Sequence, residues 1–324
     1  MTGPVLKIVG LKKHFVSRKG FPRVVTTTVR AVDGVSLAVL PGEAFGLVGE
    51  SGCGKSTAAR AMLRLIEPDA GTVHFHGEDV LAARGAALTV LRRRLQIVFQ
   101  DPYSSLNPRR TIGQTLVEPL IVHRLARGAA ARDQAVALLE EVGLSAAAVH
   151  RYPHEFSGGQ RQRIGIARAL ALKPELIVAD EPVSALDVSV QAQVLLLLKD
   201  LQQRRHLAFV FVSHDLGVIR WFCARVAVMY LGRIVEQGPV ADVFTAPRHP
   251  YTKTLRDASP IPDPATRGVL PRVIGEIPSA ANPPSGCHFH PRCPQATEIC
   301  RVSYPAWAEP GSHGFACHHP LESG

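Results

Sequence analysis

The nine residues from Gly49 to Thr57 constrain this chain more than any other stretch of it. They match the phosphate-binding pattern G-x-x-x-x-G-K-[ST]. An apolar run at 44–48 predicts a short buried strand before them, and the apolar spacing of 58–65 predicts a helix after them. Strand, glycine-rich loop and helix form the context that the pattern requires, so we interpret the stretch as a nucleotide-binding loop.

Each position of this loop has a predicted role toward a nucleotide. Its glycines let main-chain N–H groups turn inward to phosphate oxygens, with the partial positive charge of a helix N-terminus behind them. We expect Lys55 to reach the β- and γ-phosphates and Ser56 to ligate Mg²⁺. The candidate nucleotide-binding residues are Gly49, Glu50, Ser51, Gly52, Cys53, Gly54, Lys55, Ser56 and Thr57.

Length and composition limit the class of protein. The chain has 324 residues, enough for one large or two modest domains, and its 46% hydrophobic and 20% charged residues are ordinary for a soluble globular protein. No apolar run approaches the ~18 residues of a membrane span, and we find no signal peptide, which predicts a cytoplasmic protein. The net charge of +10 permits a nucleic acid or an anionic lipid as partner but decides little.

Two adjacent carboxylates follow the predicted buried strand 176–179. Ligands of α/β proteins bind at the carboxyl ends of such strands. Asp180 is therefore the candidate organiser of Mg²⁺, and Glu181 the candidate general base that polarises the attacking water. The alternative is that the pair caps the next helix. A second predicted strand, 208–212, delivers His214 to the same edge, although a lone histidine is more often structural than catalytic.

A second glycine-rich helix start is predicted at Ser157-Gly158-Gly159-Gln160. Ser157 and Gln160 have the spacing of a capping box. The two glycines weaken the first turn but leave its N–H groups uncovered, which suits an anion. A cap alone would not need both glycines.

The remaining segments organise the chain around these motifs. Strands are predicted at 5–9, 35–40 and 72–76, with a basic loop at 12–30 between the first two. Phe15 lies in that loop, where it could stack on a nucleotide base or pack in a core. A strand ends at Gln100, a proline-containing loop covers 101–108, and helices at 111–122 and 132–142 predict a helical subdomain over about 100–170.

The last part of the chain has a different composition. Fourteen of the 25 prolines lie from Pro247 onward, which predicts a loop-rich segment. Four cysteines, Cys287, Cys293, Cys300 and Cys317, follow without a C-x-x-C pair. Four thiolates on irregular loops suit an iron–sulfur cluster, which would act as a structural staple. The alternatives are zinc, with the nearby histidines His288, His290, His318 and His319 as extra ligands, and disulfides or free thiols.

Taken together, these motifs resemble those of ATP-binding cassette (ABC) ATPases. The motifs that carry the resemblance are Gly49–Thr57, Gln100, Ser157–Gln162, Ile177–Glu181, Ser184–Asp187 and His214. Residues 99–108, the segment His249–Thr252 and the four-cysteine end are similar to the ATPase subunits of oligopeptide and dipeptide importers. Importers of nickel, glutathione and other small solutes share these features.

The resemblance implies an α/β fold: a phosphate-loop (RecA-like) nucleotide-binding domain with an inserted helical subdomain, an N-terminal antiparallel β subdomain and a small C-terminal extension. We expect the ABC ATP-binding domain at 1–246 and the extension at 247–324. The resemblance also implies a four-iron four-sulfur cluster on the four cysteines of that extension.

The implied mechanism uses two cassettes that face head to tail around two ATP molecules. Lys55, Ser56, Gln100, Asp180, Glu181 and His214 of one subunit would meet Ser157, Gly158, Gly159 and Gln160 of the other, with Gln100 also close to Mg²⁺. The second cassette is a paralogue or an identical chain. The implied partners are two membrane permease subunits and, indirectly, an extracytoplasmic binding protein, without nucleic acid. The implied location is the cytoplasmic face of the membrane.

Two other classes of function remain open at this point. A nucleic-acid-associated ABC ATPase is compatible with the basic charge, but the chain has neither a tandem cassette nor a long coiled coil. A non-hydrolysing nucleotide sensor is disfavoured because Glu181 and His214 are both present. The transported solute cannot be read from an ATPase subunit.

Overall fold

The computed structural model describes residues 3–19, 25–101, 103, 105–258 and 276–322. The chain divides into two compact units. The first unit contains residues 1–5, 39–43 and 82–212, and the second contains 6–38, 44–81 and 213–324. The predicted boundary at 246/247 stays a prediction.

Short and long strands alternate with helices along the described residues. The strands are β1 (Leu6–Lys19), β2 (Val25–Val39), β3 (Ala44–Val48), β4 (Ala70–Phe75), β5 (Glu78–Asp79), β6 (Leu95–Val98), β7 (Leu176–Asp180), β8 (Ala208–Ser213), β9 (Arg225–Tyr230), β10 (Arg233–Pro239) and β11 (Gly314–Phe315).

The helices are mostly amphipathic and pack one face on a sheet or on another helix. They are α1 (Lys55–Met62), α2 (Gly85–Arg94), α3 (Ile112–Val122), α4 (Gly128–Glu141), α5 (Gly158–Leu170), α6 (Val188–Arg205), α7 (Leu216–Phe222), α8 (Val240–Thr245), α9 (Pro250–Ala258) and α10 (Glu298–Val302). No helix among the described residues is both long and apolar enough to cross a lipid bilayer.

The first unit is built on parallel strands in the order β6-β7-β8. Every residue of β7 and β8 is buried, as expected for strands that are covered on both faces. The three helices α3, α4 and α5 follow β6 and precede β7 in the chain. This arrangement agrees with the predicted helical insertion between two strands of an α/β sheet.

The second unit contains an antiparallel sheet in the order β2-β1-β4-β5 and four further strands. Among the latter, β3 runs parallel to β9, whereas β10 pairs antiparallel with both β9 and β11. Strands β9 and β10 form a hairpin around Gly232. The N-terminal sheet is the predicted antiparallel β subdomain.

The predicted loop at 12–30 is wrong for most of its length. β1 continues to Lys19 and β2 begins at Val25. Residues 15–18 of β1 are exposed, so no apolar alternation marks the strand in the sequence. Closer to the middle of β1, the Asp69 N–H donates a main-chain hydrogen bond of 2.8 Å to the Lys12 carbonyl.

The C-terminal extension is less irregular than its prolines predicted. α9 begins directly at Pro250, where proline is tolerated in the first turn of a helix. α10 and the short strand β11 follow later in the chain. Residues 259–275, which contain several of the prolines, lie outside the described residues.

Candidate functional site

The predicted phosphate-binding loop joins the buried strand β3 to α1 in the second unit. Two of its glycines are required by close approach of the main chain. A Cβ at Gly49 would lie 2.2 Å from the Met229 carbonyl oxygen, and a Cβ at Gly54 would lie 1.9 Å from the Ala31 carbonyl oxygen. Gly54 also has φ 108° at the N-cap of α1. Neighbouring main chain therefore dictates the path of this loop.

Lys55 begins α1 and is buried against the loop itself. Its Nζ donates hydrogen bonds to the carbonyl oxygens of Gly49, at 2.7 Å, and Glu50, at 3.0 Å. Burial raises the pKa of the neighbouring Cys53 thiol, so that side chain is uncharged at neutral pH. The ammonium of Lys55 is thus a positive charge held at an uncapped helix N-terminus, an arrangement that favours phosphate.

The two predicted carboxylates end strand β7 in the first unit. Asp180 is the last residue of the strand and is buried, with 1% exposure. Glu181 follows in the left-handed region, with φ 47°. Its N–H donates to the Val212 carbonyl at 3.0 Å, and its carbonyl accepts from the Ser184 hydroxyl at 3.1 Å. Such a conformation costs energy in a residue other than glycine and persists because these bonds fix it.

Gln100 lies beside Glu181, as a shared catalytic role requires. Its Nε2 donates to Glu181 Oε2 at 3.2 Å, across 81 residues of sequence. The structure therefore brings the predicted base and the predicted glutamine together at one edge of the parallel strands.

His214 follows β8 and is exposed, just before α7 in the second unit. Its neighbour Asp215 caps α7, because Asp215 Oδ1 accepts from the Gly217 N–H at 2.7 Å and from the Val218 N–H at 3.2 Å. Asp215 therefore has a structural role in this turn, and a catalytic role for His214 stays a prediction.

The second glycine-rich helix start has the predicted capping box. The Gln160 N–H donates to Ser157 Oγ at 3.4 Å, and the Ser157 N–H donates to Gln160 Oε1 at 3.0 Å. Gly159 has a packing reason that the sequence did not suggest, since a Cβ there would lie 2.2 Å from Val190 Cγ1. Anion binding is therefore not the only reason for the two glycines, because Gly159 is also required for packing against Val190.

Arg161, the next residue of the same helix, was missed by the sequence interpretation. Its Nε donates to the Pro153 carbonyl at 2.6 Å, and its guanidinium lies 3.6 Å from the ring centroid of Tyr103. This stacking ties the start of α5 to the loop that follows Gln100. The contact spans 58 residues, counted from 103 to 161, so local patterns contain no signal for it.

Phe15 lies on β1 with 42% of its surface exposed, and Lys13 Nζ approaches its ring centroid to 5.6 Å. The ring is therefore not a core residue. Stacking of Phe15 on a base stays a prediction.

The four C-terminal cysteines converge, but the predicted iron–sulfur cluster is wrong. Cys287, Cys293, Cys300 and Cys317 are free thiols that line a cavity of about 10 Å³, room for about one water molecule. Among the described residues, no group of three or more His, Cys, Asp or Glu side chains is arranged to hold a metal ion. The same finding applies to zinc, the alternative metal, and the four cysteines are free rather than joined in disulfides.

Two of these cysteines have thiols that are protonated at neutral pH because they are buried. Burial raises the pKa of Cys287 to about 11 and that of Cys317 to about 12, whereas metal ligation needs thiolates. The extension is stabilised instead by an aromatic cluster. The ring centroid of Phe289 lies 5.4 Å from those of both Tyr230 and Tyr251.

Two family models match the chain. "ABC transporter" matches residues 32–184, which include the phosphate-binding loop, Gln100, the Ser157–Gln160 helix start and both carboxylates. "Oligopeptide/dipeptide transporter, C-terminal region" matches residues 235–300.

Curated relatives match almost the whole chain. The probable peptide ABC transporter ATP-binding protein y4tS of Sinorhizobium fredii is 52% identical, over 98% of this chain and 90% of the relative. The putative oligopeptide transport ATP-binding protein YkfD of Bacillus subtilis is 50% identical, over 97% of this chain and 95% of the relative.

Solved structures support the same fold. The ATP-binding cassette MJ0796, in a dimeric post-hydrolysis state bound to ADP and phosphate, is 30% identical with a TM-score of 0.62, covering 72% of this chain and 98% of that one. Identity of about half over nearly the full length, with the ATP-site motifs in their expected elements, shows that this chain belongs to the ABC transporter ATPase family.

Proposed function

We propose that the chain is the ATP-hydrolysing subunit of an importer that takes up oligopeptides or dipeptides. The observation that carries the proposal is the match of residues 235–300 to the oligopeptide/dipeptide transporter C-terminal region, in the same chain as the ATPase motifs. The names of the relatives, which are about 50% identical, support the same substrate class.

Glu181 is the general base in this proposal. It accepts a hydrogen bond from Gln100, and its main chain is fixed on both sides, so its carboxylate has a defined position for the attacking water. His214 assists at the γ-phosphate, and Lys55 binds the β- and γ-phosphates. Phosphoryl transfer to water depends on such positioning and on charge stabilisation more than on covalent chemistry.

Mg²⁺ is the metal that this chemistry requires, and the oxygen donors of the chain suit it. Asp180 is a buried carboxylate at a strand end, and Ser56 is a hydroxyl in the first turn of α1. We assign these two residues to Mg²⁺, with Gln100 nearby. Bound Mg²⁺ would neutralise charge on the β- and γ-phosphates.

The Ser157–Gln160 helix start completes the site of a second ATPase subunit in this proposal. Lys55 already provides the cation and the helix N-terminus of its own subunit, so a second anion-binding helix start is available for a partner's nucleotide. The second subunit is an identical chain or a paralogue. Phe15 stacks on the adenine base.

The permease subunits dock on a groove of the first unit. This cavity of about 370 Å³ is lined by the loop after Gln100, by α3 and by α5, including Asn107, Glu118, Val122 and Arg168. The apolar side chain of Val122 is 65% exposed there. The subunit then works at the cytoplasmic face of the membrane, and an extracytoplasmic binding protein delivers the peptide to the permease.

The substrate class is tested by uptake. The chain is produced together with permease and binding-protein subunits from the same genome, and uptake of labelled dipeptides and longer peptides is measured, with labelled nickel and glutathione in parallel. Glu181→Gln should retain ATP binding and lower ATP turnover by about 10²–10⁴-fold, with peptide uptake lost in parallel. Uptake of nickel or glutathione without peptide would contradict the peptide assignment.

The docking groove is tested by photo-cross-linking in the same complex. A photoreactive residue at Asn107 should capture a permease subunit, whereas one at Gln134, an exposed position on α4, should not. Equal yields of permease adduct at both positions would contradict the groove as the docking site.

A further inference from the structure

The C-terminal extension holds one residue of the phosphate-binding loop by two separate contacts. The main-chain N–H of Glu50 donates to the Tyr251 hydroxyl at 2.9 Å. The Glu50 carboxylate accepts both ends of the Arg292 guanidinium, with Nη1–Oε2 at 2.7 Å and Nη2–Oε1 at 2.9 Å. These partners are 201 and 242 residues away in sequence.

The geometry and burial of these contacts distinguish them from a surface ion pair. Tyr251 is fully buried, the Arg292 side chain is 3% exposed and the Glu50 side chain is 20% exposed. A bidentate pair of this kind is stronger and more directional than an exposed one. Within the described residues, Arg292 Nε lacks a hydrogen-bond partner, so the pair with Glu50 is the main compensation for burying this cation.

Tyr251 is itself held in position by other residues of the same unit. The Tyr251 N–H donates to His249 Nδ1 at 3.0 Å, and the His249 N–H donates to the Glu236 carboxylate at 2.8 Å. Glu236 is fully buried on β10. The ring of Phe289 packs against Tyr251 on the side of Arg292. The hydroxyl that meets the loop therefore has a defined position before any nucleotide arrives.

Glu50 is also held by Lys55, the residue that we expect to bind the phosphates. Its carbonyl oxygen accepts from Lys55 Nζ at 3.0 Å, while its N–H and its carboxylate are held by the extension. A loop that is fixed in its binding conformation loses less conformational entropy when it binds. The same contacts direct the Glu50 N–H toward Tyr251, so its part in nucleotide binding is to set the path of the loop.

We propose that Tyr251 and Arg292 are positioning residues for ATP binding, which hold the phosphate-binding loop through Glu50 in the conformation that presents Lys55 to the phosphates. The C-terminal extension is then a working part of the nucleotide site as well as a mark of the transporter subclass. The competing explanation is that the contacts only anchor the extension to the rest of its unit.

The two explanations differ in what a substitution changes. Positioning predicts a weaker affinity for ATP at a temperature where the chain is fully folded. Anchoring predicts a lower melting temperature with unchanged affinity. The experiment uses the purified full-length chain, a fluorescent ATP analogue for the dissociation constant and thermal unfolding for stability.

Tyr251→Phe removes one hydroxyl and leaves the Glu50 N–H unpaired, and Arg292→Met removes the bidentate cation. We expect the dissociation constant to rise about 5- to 10-fold for Tyr251→Phe and about 10- to 30-fold for Arg292→Met, the range for unpaired buried partners. Arg292→Lys, which keeps the charge but not the fork, should recover only part of the affinity. A Glu50→Gln, Arg292→Met double variant should lose less than the two single variants combined.

Matched controls come from the same unit. Tyr304→Phe alters a half-buried tyrosine of the extension, and Arg233→Met breaks a half-buried pair with Asp33, with Arg233 Nη2 2.6 Å from Asp33 Oδ2. Both should lower stability without changing ATP affinity. The proposal is overturned if Tyr251→Phe and Arg292→Met behave like these controls. If Arg292→Met does not fold, Tyr251→Phe alone decides the matter, because it removes a single atom.

Discussion

The two glycine-rich helix starts, at α1 and at α5, look alike in sequence but are built differently. At α1 the N-cap is a glycine in the left-handed region without a side-chain cap, and the Cβ positions of Gly49 and Gly54 collide with main-chain carbonyls. At α5 the side chains of Ser157 and Gln160 cap the first turn, and Gly159 makes room for the side chain of Val190.

This difference determines how well each of the two helix starts is suited to bind an anion. The N-cap of α1 provides no side-chain cap and Lys55 adds a cation there, which suits this helix start to a phosphate. The first turn of α5 is already partly satisfied by its own cap. Substitutions at the glycines can test this contrast, because main chain cannot move aside as a side chain can.

The largest effect is expected for Gly54→Ala. Its Cβ would lie 1.9 Å from the Ala31 carbonyl oxygen, so the loop must change its path. We expect a loss of about 1–3 kcal/mol in the free energy of unfolding and a tenfold or greater loss of ATP affinity. Chemical denaturation and nucleotide titration measure the two effects. Gly77→Ala is the control, since it has φ 82° but no atom within 4 Å of the new Cβ. Similar losses for both variants would attribute the effect to backbone conformation alone.

A smaller and reversible effect is expected for Gly159→Ala. The obstructing atom is Val190 Cγ1, the end of a side chain. We expect a loss of about 1–2 kcal/mol in the free energy of unfolding, most of which a second substitution, Val190→Ala, restores. If the double variant does not recover stability, main-chain atoms rather than the Val190 side chain require glycine at this position, as at α1.

The smallest effects are expected from two substitutions within α5 that have opposite signs. Ser157→Ala removes the cap and should cost about 1 kcal/mol in the free energy of unfolding. Gly165→Ala, where no atom lies within 4 Å of the new Cβ, should stabilise the helix by about 0.5–1 kcal/mol. Denaturation without nucleotide measures both. A neutral Ser157→Ala variant would mean that packing rather than capping fixes the start of α5.

Features that depend on neighbouring residues were predictable from the sequence. The phosphate-binding loop, the capping box of Ser157 and Gln160, and the two carboxylates at the end of β7 follow from short patterns whose geometry is local. The proximity of Gln100 and Glu181 followed only from the resemblance to ABC ATPases, because these residues are 81 positions apart.

Features that depend on distant residues were missed or misjudged. Strand β1 pairs with β4, which is distant in sequence, and continues through the exposed residues 15–18, where the sequence contains no amphipathic pattern. The bidentate contact of Arg292 with Glu50 joins segments 242 residues apart. The cysteine spacing indicated that the four thiols lie together, but whether they are arranged to hold a metal ion depended on the fold around them, which spacing does not determine.

The left-handed backbone at Glu181 has a consequence for how selection acts on this chain. Glycine at this position would relieve about 1 kcal/mol of strain, so the fold alone would gain by losing the carboxylate. A library screened for thermal resistance should therefore enrich glycine at residue 181, and the enriched chains should hydrolyse ATP poorly. Selection for stability and selection for ATP turnover therefore favour different residues at position 181. Only a screen that requires both properties will retain glutamate there.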